Sequence, residues 1–395
     1  MTPFRIRYTG DYLDEQGALA VPDIALDLYE GVPHVDTGFL HDQSPTPGDP
    51  TYWDRLYSLE LTPAHVAVDF LRDQSPTPGD PGYWNRLYSL ELTPAQVAQA
   101  EGIVIFRPWV RASAFAEGAE TLTVIGRAGA GIDKIDLAAC TAHDVAVFNA
   151  PDTLTHATAS SAFLLILALA KKLPEQQRLV ATARWDLQPR AMGQDLPGKT
   201  LGILGLGASG RELARLAAPW GMHLKAFSPH ADPAQAKALG VELVPTLAAL
   251  LREADFLSLH NRLDASTRGL IGAAELALLK PGACFINVAR GEIVDQPALV
   301  AALRDKRIAA AGLDVFEHEP LPPDDPLLAL DNVILTPHWL PSTRDAARLT
   351  MTLIARGMLR AAQGEIPENV VNAAVLDRPG FLDKLARFAD NRLPA

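Results

Sequence analysis

Short apolar segments alternate with helical patterns over most of the chain, and this alternation limits the possible folds more than any other feature of the sequence. Most of these segments are apolar along their whole length, which is typical of strands buried on both faces of a sheet. Because helical stretches separate most of them, the pattern predicts an α/β fold class with doubly wound parallel sheets. The strand candidates are residues 102–106, 122–125, 145–148, 200–204, 223–227, 255–260, 283–288, 309–315 and 333–336.

Two long helical stretches belong to the same pattern. Residues 156–184 predict a long helix whose first half is apolar nearly all round and therefore buried. Pro174 falls inside it and is expected to kink or divide it, because proline removes a backbone hydrogen bond. A second long helix, which is amphipathic, is predicted over residues 343–364.

A glycine-rich turn follows the strand candidate at 200–204 and precedes a helical pattern. Gly205, Gly207 and Gly210 form a G-x-G-x-x-G motif in the strand–turn–helix context of a dinucleotide-binding site. The first glycine allows the tight turn, the second lets a pyrophosphate approach the backbone, and the third permits close packing of helix on strand. A purely structural turn is the alternative, but the strand and helix in register favour dinucleotide binding.

The strand after this motif ends at Ser228, where an acidic residue normally bonds the adenosine ribose and disfavours a 2′-phosphate. Ser228 suits either a ribose hydroxyl or a phosphate. His230 either adds partial positive charge or is a plain turn residue. The sequence therefore leaves both NAD and NADP open as the cofactor.

Three charged or titratable residues follow strand candidates near the end of the pattern: Arg290, Glu319 and His338. Ligands of open α/β sheets bind at the carboxyl ends of strands, so the three side chains are expected to converge on one site. Hydride transfer to a carbonyl needs a proton donor, a cation for the substrate carboxylate and an acid that holds the donor. Taken alone, His338 would more often be structural.

Together these segments resemble the D-isomer-specific 2-hydroxyacid dehydrogenases, the family that includes phosphoglycerate dehydrogenase and glyoxylate/hydroxypyruvate reductase. The resemblance covers roughly residues 102–364. The matching segments are residues 126–136, 149–151, 198–213, 267–299, 311–320 and 335–338.

The resemblance implies a role for each catalytic candidate. His338 would protonate the carbonyl oxygen during reduction, Glu319 would hold and polarise His338, and Arg290 would bind the substrate carboxylate and the reacting oxygen. The remaining substrate-binding residues it implies are Arg107, Arg127, Ala130 and Gly131. The cofactor-binding residues it implies are Gly205, Gly207, Ala208, Ser209, Gly210, Ser228, Asn261, Ala289 and Asp314. The cofactor would be NAD or NADP, and no metal is expected.

The resemblance also implies that one domain interrupts another. Residues 1–148 with 345–395 would form a flavodoxin-like substrate-binding domain, and residues 149–344 a Rossmann dinucleotide-binding domain. The active site would lie in the cleft, and a homodimer is expected from the family.

The function this implies is reversible reduction of a small 2-oxo acid to a D-2-hydroxy acid by NAD(P)H. Formate dehydrogenase is a second enzymatic interpretation, disfavoured because that branch has glutamine where this chain has Glu319. A dinucleotide-sensing corepressor on the same fold is an interpretation from another class, and a turnover assay separates it from the enzymes.

An internal repeat precedes the alternating pattern. Residues 42–67 recur as residues 73–98, and only three of the 26 aligned positions differ. Solenoid repeats share a sparser pattern and need three or more units, so two nearly identical copies indicate a recent tandem duplication.

Composition excludes several classes of function. The formal net charge of −12 disfavours an electrostatic hold on nucleic acid or anionic lipid. The longest apolar run, residues 162–170, is far shorter than the roughly 20 residues of a membrane span, and the N-terminus has no apolar signal core. The chain has two cysteines, Cys140 and Cys284, which fits a reducing compartment and a cytoplasmic protein.

Overall fold

The computed structural model describes residues 4–9, 12, 24–29, 32, 34–39 and 89–391. The chain divides into two compact units, which we call the discontinuous unit (Met1–Thr153 with Arg344–Ala395) and the central unit (Leu154–Thr343). The first copy of the duplicated segment, residues 42–67, lies outside the described residues, as do residues 73–88 of the second copy.

The discontinuous unit contains a five-stranded parallel sheet. Its strand order is β2-β1-β3-β4-β5, which is the flavodoxin-like order. The strands are β1 (Phe4–Tyr8), β2 (Val35–Phe39), β3 (Gly102–Ile105), β4 (Val124–Arg127) and β5 (Ala146–Asn149). The last three were predicted from the sequence, although β4 begins two residues later than predicted.

The first two strands were missed because charged residues interrupt their apolar pattern. In β1, Arg5 and Arg7 alternate with apolar residues that are fully buried. Two carboxylates outside this strand accept from these guanidinium groups: Glu101 lies 2.6 Å from Nη2 of Arg5, and Asp36 lies 2.9 Å from Nη2 of Arg7. A parallel strand can therefore carry two arginines in this sheet, provided that neighbouring elements supply the counter-charges.

The helix predicted over 343–364 is confirmed as Arg344–Ala362. Its buried Met351, Ile354 and Met358 form one core with Phe4 and Phe148 of the sheet. The other helices of this unit are Pro94–Val97, Leu137–Ala142 and Pro379–Ala386, with 3₁₀ turns at Leu26–Tyr29, Ala112–Phe115, Ala373–Val375 and Ala389–Asn391.

The central unit contains a seven-stranded parallel sheet in the order β12-β11-β10-β9-β6-β7-β8. Numbered from β6, this is the doubly wound order of a Rossmann fold with one added strand, and its switch point lies between β6 and β9. The strands are β6 (Thr200–Leu204), β7 (His223–Phe227), β8 (Val241–Leu243), β9 (Phe256–Leu259), β10 (Cys284–Asn287), β11 (Ala310–Leu313) and β12 (Val333–Leu335). The predicted fold class is confirmed, and only the short edge strand β8 of this sheet was missed.

The long helix predicted over 156–184 is divided into Thr155–Ala170 and Leu173–Ala181, which meet at 58°. Lys172 takes a left-handed φ of 51°, and Pro174 occupies the first turn of the second helix. The predicted break is therefore confirmed, and it falls where proline is tolerated. The other helices of this unit are Ala208–Ala217, Pro233–Ala238, Leu247–Glu253, Ala273–Leu276 and Gln296–Arg304, with 3₁₀ turns at Trp185–Ala191, Ala218–Trp220, Gly291–Ile293 and Pro326–Ala329.

Among the described residues, no single helix is both long and apolar enough to cross a membrane. Only the bent pair Thr155–Ala170 and Leu173–Ala181 meets that requirement together, by length and composition. The first helix of the pair contributes nine buried residues to the central unit.

Candidate active site

Only glycine fits at two positions of the turn after β6. Gly205 has φ +93°, and a Cβ there would lie 2.7 Å from the backbone nitrogen of Asn261. A Cβ on Gly210 would overlap the carbonyl oxygen of Gly205. The turn is therefore held tightly against β9 on one side and against its own helix on the other.

Gly207 differs from these two because its Cβ position is open. Apart from Gly207 and its two chain neighbours, no atom of the described residues lies within 4 Å of that position. Gly207 is the N-cap of the ten-residue helix Ala208–Ala217, and no side chain caps its first amides. Uncapped amides at a helix N-terminus next to open space fit a diphosphate, and the predicted residues Ala208 and Ser209 carry two of them.

Ser228 lies directly after β7 and beside this turn, because the amide of Gly205 donates to the carbonyl oxygen of Phe227 over 3.0 Å. Ser228 is half-buried and His230 is exposed. The strand end thus presents a hydroxyl where an acid would repel a 2′-phosphate.

Two side chains near the strand ends, Asn261 and Asp314, have buried hydrogen-bonding atoms. Within the part of the chain that the structure describes, both amide atoms of Asn261 and Oδ2 of Asp314 are buried without a partner. Burial raises the pKa of Asp314, against the opposing effect of the hydrogen bond from Thr336. Buried polar atoms of native proteins are almost always paired, so these atoms fit a ligand with donors and an acceptor, such as a nicotinamide dinucleotide.

Glu319 and His338 form a direct pair. Nδ1 of His338 lies 2.7 Å from Oε2 of Glu319, and the amide of Phe316 donates to Oε1 of Glu319 over 3.2 Å. Burial opposes ionisation of Glu319, but the hydrogen bond and charge of His338, the Phe316 amide and the charge of Arg290 together lower its pKa. The carboxylate therefore holds the imidazole by Nδ1 and leaves Nε2 for a substrate.

The loop that carries His338 is strained and is held by Asp314. His338 has a left-handed φ of 52°, which is uncommon for a non-glycine residue. Oδ1 of Asp314 accepts from the Thr336 hydroxyl at 2.6 Å and from the amides of Trp339 and Leu340 at 3.2 and 3.1 Å. Strain of this kind persists only where surrounding contacts fix it, and it is common at active sites.

Arg290 follows β10, and its charge acts on Glu319. Its carbonyl oxygen accepts from the side-chain amide of Asn287 at 2.9 Å, and its Nη1 donates to the carbonyl oxygen of Ala289 at 2.8 Å. Gly291 has no room for a Cβ, which would overlap the backbone of Phe316. This close approach, which the sequence analysis missed, brings Arg290 to the loop of Glu319. The central unit thus places Arg290, Glu319 and His338 after the neighbouring strands β10, β11 and β12.

The discontinuous unit carries the four predicted substrate residues at or after the ends of its own strands. Arg107 follows β3 and its guanidinium lies 4.6 Å from the centre of the Phe106 ring. Arg127 ends β4, and Ala130 and Gly131 follow in the next loop. Asn149, at the end of β5, donates its side-chain amide to the carbonyl oxygen of Ala130 over 2.8 Å and so fixes that loop.

His260, at the carboxyl end of β9, is a functional candidate that the sequence analysis missed. Its Nε2 lies 2.9 Å from the hydroxyl oxygen of Ser258, and its Nδ1 lies 3.0 Å from that of Ser209. Burial lowers the pKa of His260 to about 4. The imidazole is therefore neutral at physiological pH and links the strand to the glycine turn.

We expect His260 to make stability depend on pH. Its pKa of about 4 in the folded chain lies below the usual 6.5, so between these values the unfolded chain binds more protons. The free energy of unfolding should fall by up to about 3 kcal/mol from this group as the pH drops from 6.5 to 4. Urea unfolding across this range should show a shallower loss in His260→Gln; equal losses in the two proteins would refute the assignment.

Comparison with known proteins adds the family context. Residues 163–339 match the family model described as "D-isomer specific 2-hydroxyacid dehydrogenase, NAD binding domain". A D-3-phosphoglycerate dehydrogenase of Methanocaldococcus jannaschii is 43% identical over 256 residues, which are 65% of this chain and 48% of that protein. A glyoxylate reductase of Korarchaeum cryptofilum is 41% identical over 270 residues, which are 67% of this chain and 81% of that protein.

A solved structure of similar fold supports the same grouping. The crystal structure of a glyoxylate reductase from Paecilomyes thermophila superposes with a TM-score of 0.70 at 25% identity, covering 94% of this chain and 99% of that one. The chain spans about half the length of the phosphoglycerate dehydrogenase and about four fifths of the archaeal glyoxylate reductase.

Proposed function

The chain belongs to the D-isomer specific 2-hydroxyacid dehydrogenase family, and we propose that it catalyses reversible hydride transfer between a nicotinamide dinucleotide and a small 2-oxo or D-2-hydroxy acid. The observation that carries the proposal is the pair of Glu319 and His338, 2.7 Å apart, with Arg290 on the neighbouring strand end. The open glycine turn, with the unpaired atoms of Asn261 and Asp314, supports binding of the dinucleotide on the same unit.

Each of the three side chains has a distinct task in this mechanism. The dinucleotide, when bound, supplies or accepts the hydride. The Arg290 guanidinium binds the substrate carboxylate and draws electron density toward the reacting oxygen. Nε2 of protonated His338 donates its proton to that oxygen as negative charge develops there, and the neutral imidazole takes the proton back in the reverse direction. Glu319 fixes the ring by Nδ1 and places a negative charge beside it.

The test of this function is a panel of small 2-oxo acids, glyoxylate among them, each assayed with NADH and with NADPH. We expect turnover with at least one acid. Dinucleotide binding without turnover on any acid would instead favour a dinucleotide-sensing binding protein.

Relaxed coenzyme use follows from Ser228. The Ser228 hydroxyl at the end of β7 can donate a hydrogen bond to a ribose hydroxyl or to a 2′-phosphate, and it stands where an acid would repel the phosphate. We expect kcat/KM values for NADH and NADPH to lie within about tenfold of each other, and Ser228→Asp to lower the NADPH value by at least about tenfold. A wild-type preference for NADH above that ratio, or no NADPH loss in Ser228→Asp, would contradict this proposal.

A homodimer is the assembly that we propose. The helix Leu173–Ala181 buries none of its residues within the chain. Val180 in this helix and Trp185 in the following 3₁₀ turn are about 60% exposed, and they are candidates for an apolar contact with a second copy of the chain. The two reduced, buried cysteines support a cytoplasmic location, which also remains a proposal.

The double variant Val180→Glu, Trp185→Glu is expected to sediment as a monomer where the wild type sediments as a dimer. Burying two carboxylates in an apolar contact costs several kcal/mol, roughly enough to dissociate it. Leu328→Glu, on another exposed site of the central unit, is the matched control and should remain dimeric. A monomeric wild type would contradict the proposal.

A further inference from the structure

Three side chains connect the interior of the central unit to the glycine turn. Ser258, on β9, is fully buried, and its hydroxyl oxygen lies 2.9 Å from Nε2 of His260. Nδ1 of the same ring lies 3.0 Å from the hydroxyl oxygen of Ser209. Ser209 is half-buried and is the second residue of the helix Ala208–Ala217. The hydrogen-bonded path therefore runs from Ser258 to Ser209, at the helix terminus that fits a diphosphate.

We call Ser258, His260 and Ser209 the relay. Its hydrogen bonds can point in one of two directions. Because burial keeps His260 neutral, its ring has one N–H donor and one acceptor nitrogen, and each serine hydroxyl has a single hydrogen. In the outward arrangement, Ser258 donates to Nε2 and the Nδ1–H group donates to Ser209. In the inward arrangement, Ser209 donates to Nδ1 and the Nε2–H group donates to Ser258.

Burial of Ser258 decides between the two directions. Among the described residues, its hydroxyl makes no hydrogen bond except the one to His260. The inward arrangement would leave the hydroxyl hydrogen of Ser258 buried without an acceptor, which is costly. The outward arrangement uses every buried hydrogen and leaves the hydroxyl hydrogen of Ser209 available at the helix terminus.

We propose that Ser258 and His260 are positioning residues that orient the hydroxyl hydrogen of Ser209 toward the dinucleotide diphosphate. The proposal rests on the proposed dinucleotide binding. A diphosphate oxygen only accepts hydrogen bonds, so the inward arrangement would present it with the lone pairs of Ser209 instead of a donor. Two residues that do not touch the cofactor would thus influence its affinity.

The first test is the tautomer of His260. Nitrogen NMR of isotope-labelled histidine, with His260 assigned from the signal that is lost in His260→Gln, should show Nδ1 protonated and Nε2 unprotonated at neutral pH. Protonation of Nε2 instead would overturn the proposal. The tautomer is read from the wild-type chain, and His260→Gln serves only to assign the signal.

The second test is a double-mutant cycle on NADH binding, followed by fluorescence titration. Ser209→Ala should weaken binding roughly tenfold, because it removes a hydrogen bond to a charged group. Ser258→Ala should weaken it about threefold, because only part of the population then has the outward direction. In the Ser209→Ala background, Ser258→Ala should cause no further loss. Ser161→Ala, another buried serine of this unit, is the matched control and should bind as the wild type does.

The outcomes of this cycle separate the relay from the function on which it rests. Equal losses from Ser258→Ala in both backgrounds would indicate a structural role and overturn the relay, as would unchanged binding in Ser258→Ala. Failure of the wild type to bind NADH or NADPH would contradict the proposed function itself, and the relay with it.

Discussion

Replacing His338 by asparagine is expected to lower kcat for 2-oxo acid reduction by about 10²–10⁴-fold, the usual contribution of a general acid. Asparagine is chosen because it tolerates the left-handed backbone that His338 adopts, with φ of 52°, yet cannot donate a proton to the substrate oxygen. Stopped assays under saturating coenzyme and substrate would measure the loss. Binding of NADH should stay within about twofold of wild type, because the glycine turn is untouched.

His318→Asn is the matched control for this prediction. His318 lies next to Glu319 and is exposed, and we assign it no part in the proposed mechanism. Its replacement should leave kcat unchanged. Near-normal turnover in His338→Asn at neutral pH would show that another group supplies the proton.

Replacing Gly207 by valine is expected to weaken NADH binding by at least about 100-fold while leaving the chain folded. Gly207 has an extended backbone that any residue adopts, and among the described residues only its own chain neighbours lie within 4 Å of its Cβ position. The added side chain would therefore fill only the space next to the helix amides, where the diphosphate is expected. Isothermal titration with NADH would measure the loss, and thermal unfolding would confirm that Tm is unchanged.

Gly272→Val is the matched control for this second prediction. Gly272 is also an extended N-cap glycine of the central unit, and beyond its chain neighbours the described residues place only the Glu275 carboxylate, at 3.4 Å, near its Cβ position. Its replacement should leave NADH binding intact. Wild-type affinity in Gly207→Val would show that the dinucleotide does not approach this turn.

The sheets were predictable wherever strands are buried on both faces. β6 (TLGIL) and β10 (CFIN) are completely buried, and their apolar runs identify them without further information. β1 was not predictable in this way, because Arg5 and Arg7 obtain their counter-charges from Glu101 and Asp36, which lie far away in the sequence or on the next strand. A local pattern carries no information about such distant pairing.

The candidate site, like the sheets, was predictable from local pattern only in part. The rule that ligands bind at the carboxyl ends of parallel strands was sufficient to group Arg290 with His338. The backbone conformation of His338 and the buried Oδ2 of Asp314, which has no partner among the described residues, result from packing between loops, so the sequence could not indicate them. The pairing of His260 with Ser209 also joins residues 51 positions apart.

Hydride transfer itself is the most direct test of the central claim. NADH or NADPH carrying deuterium at the transferable position of the nicotinamide would be incubated with the chain and the panel of 2-oxo acids, and the products analysed by mass spectrometry and chiral chromatography. We expect a D-2-hydroxy acid with deuterium on its second carbon from the wild type, and at least about 100-fold less from His338→Asn. Binding of the dinucleotide without deuterium transfer to any acid, or equal transfer by His338→Asn, would contradict the account.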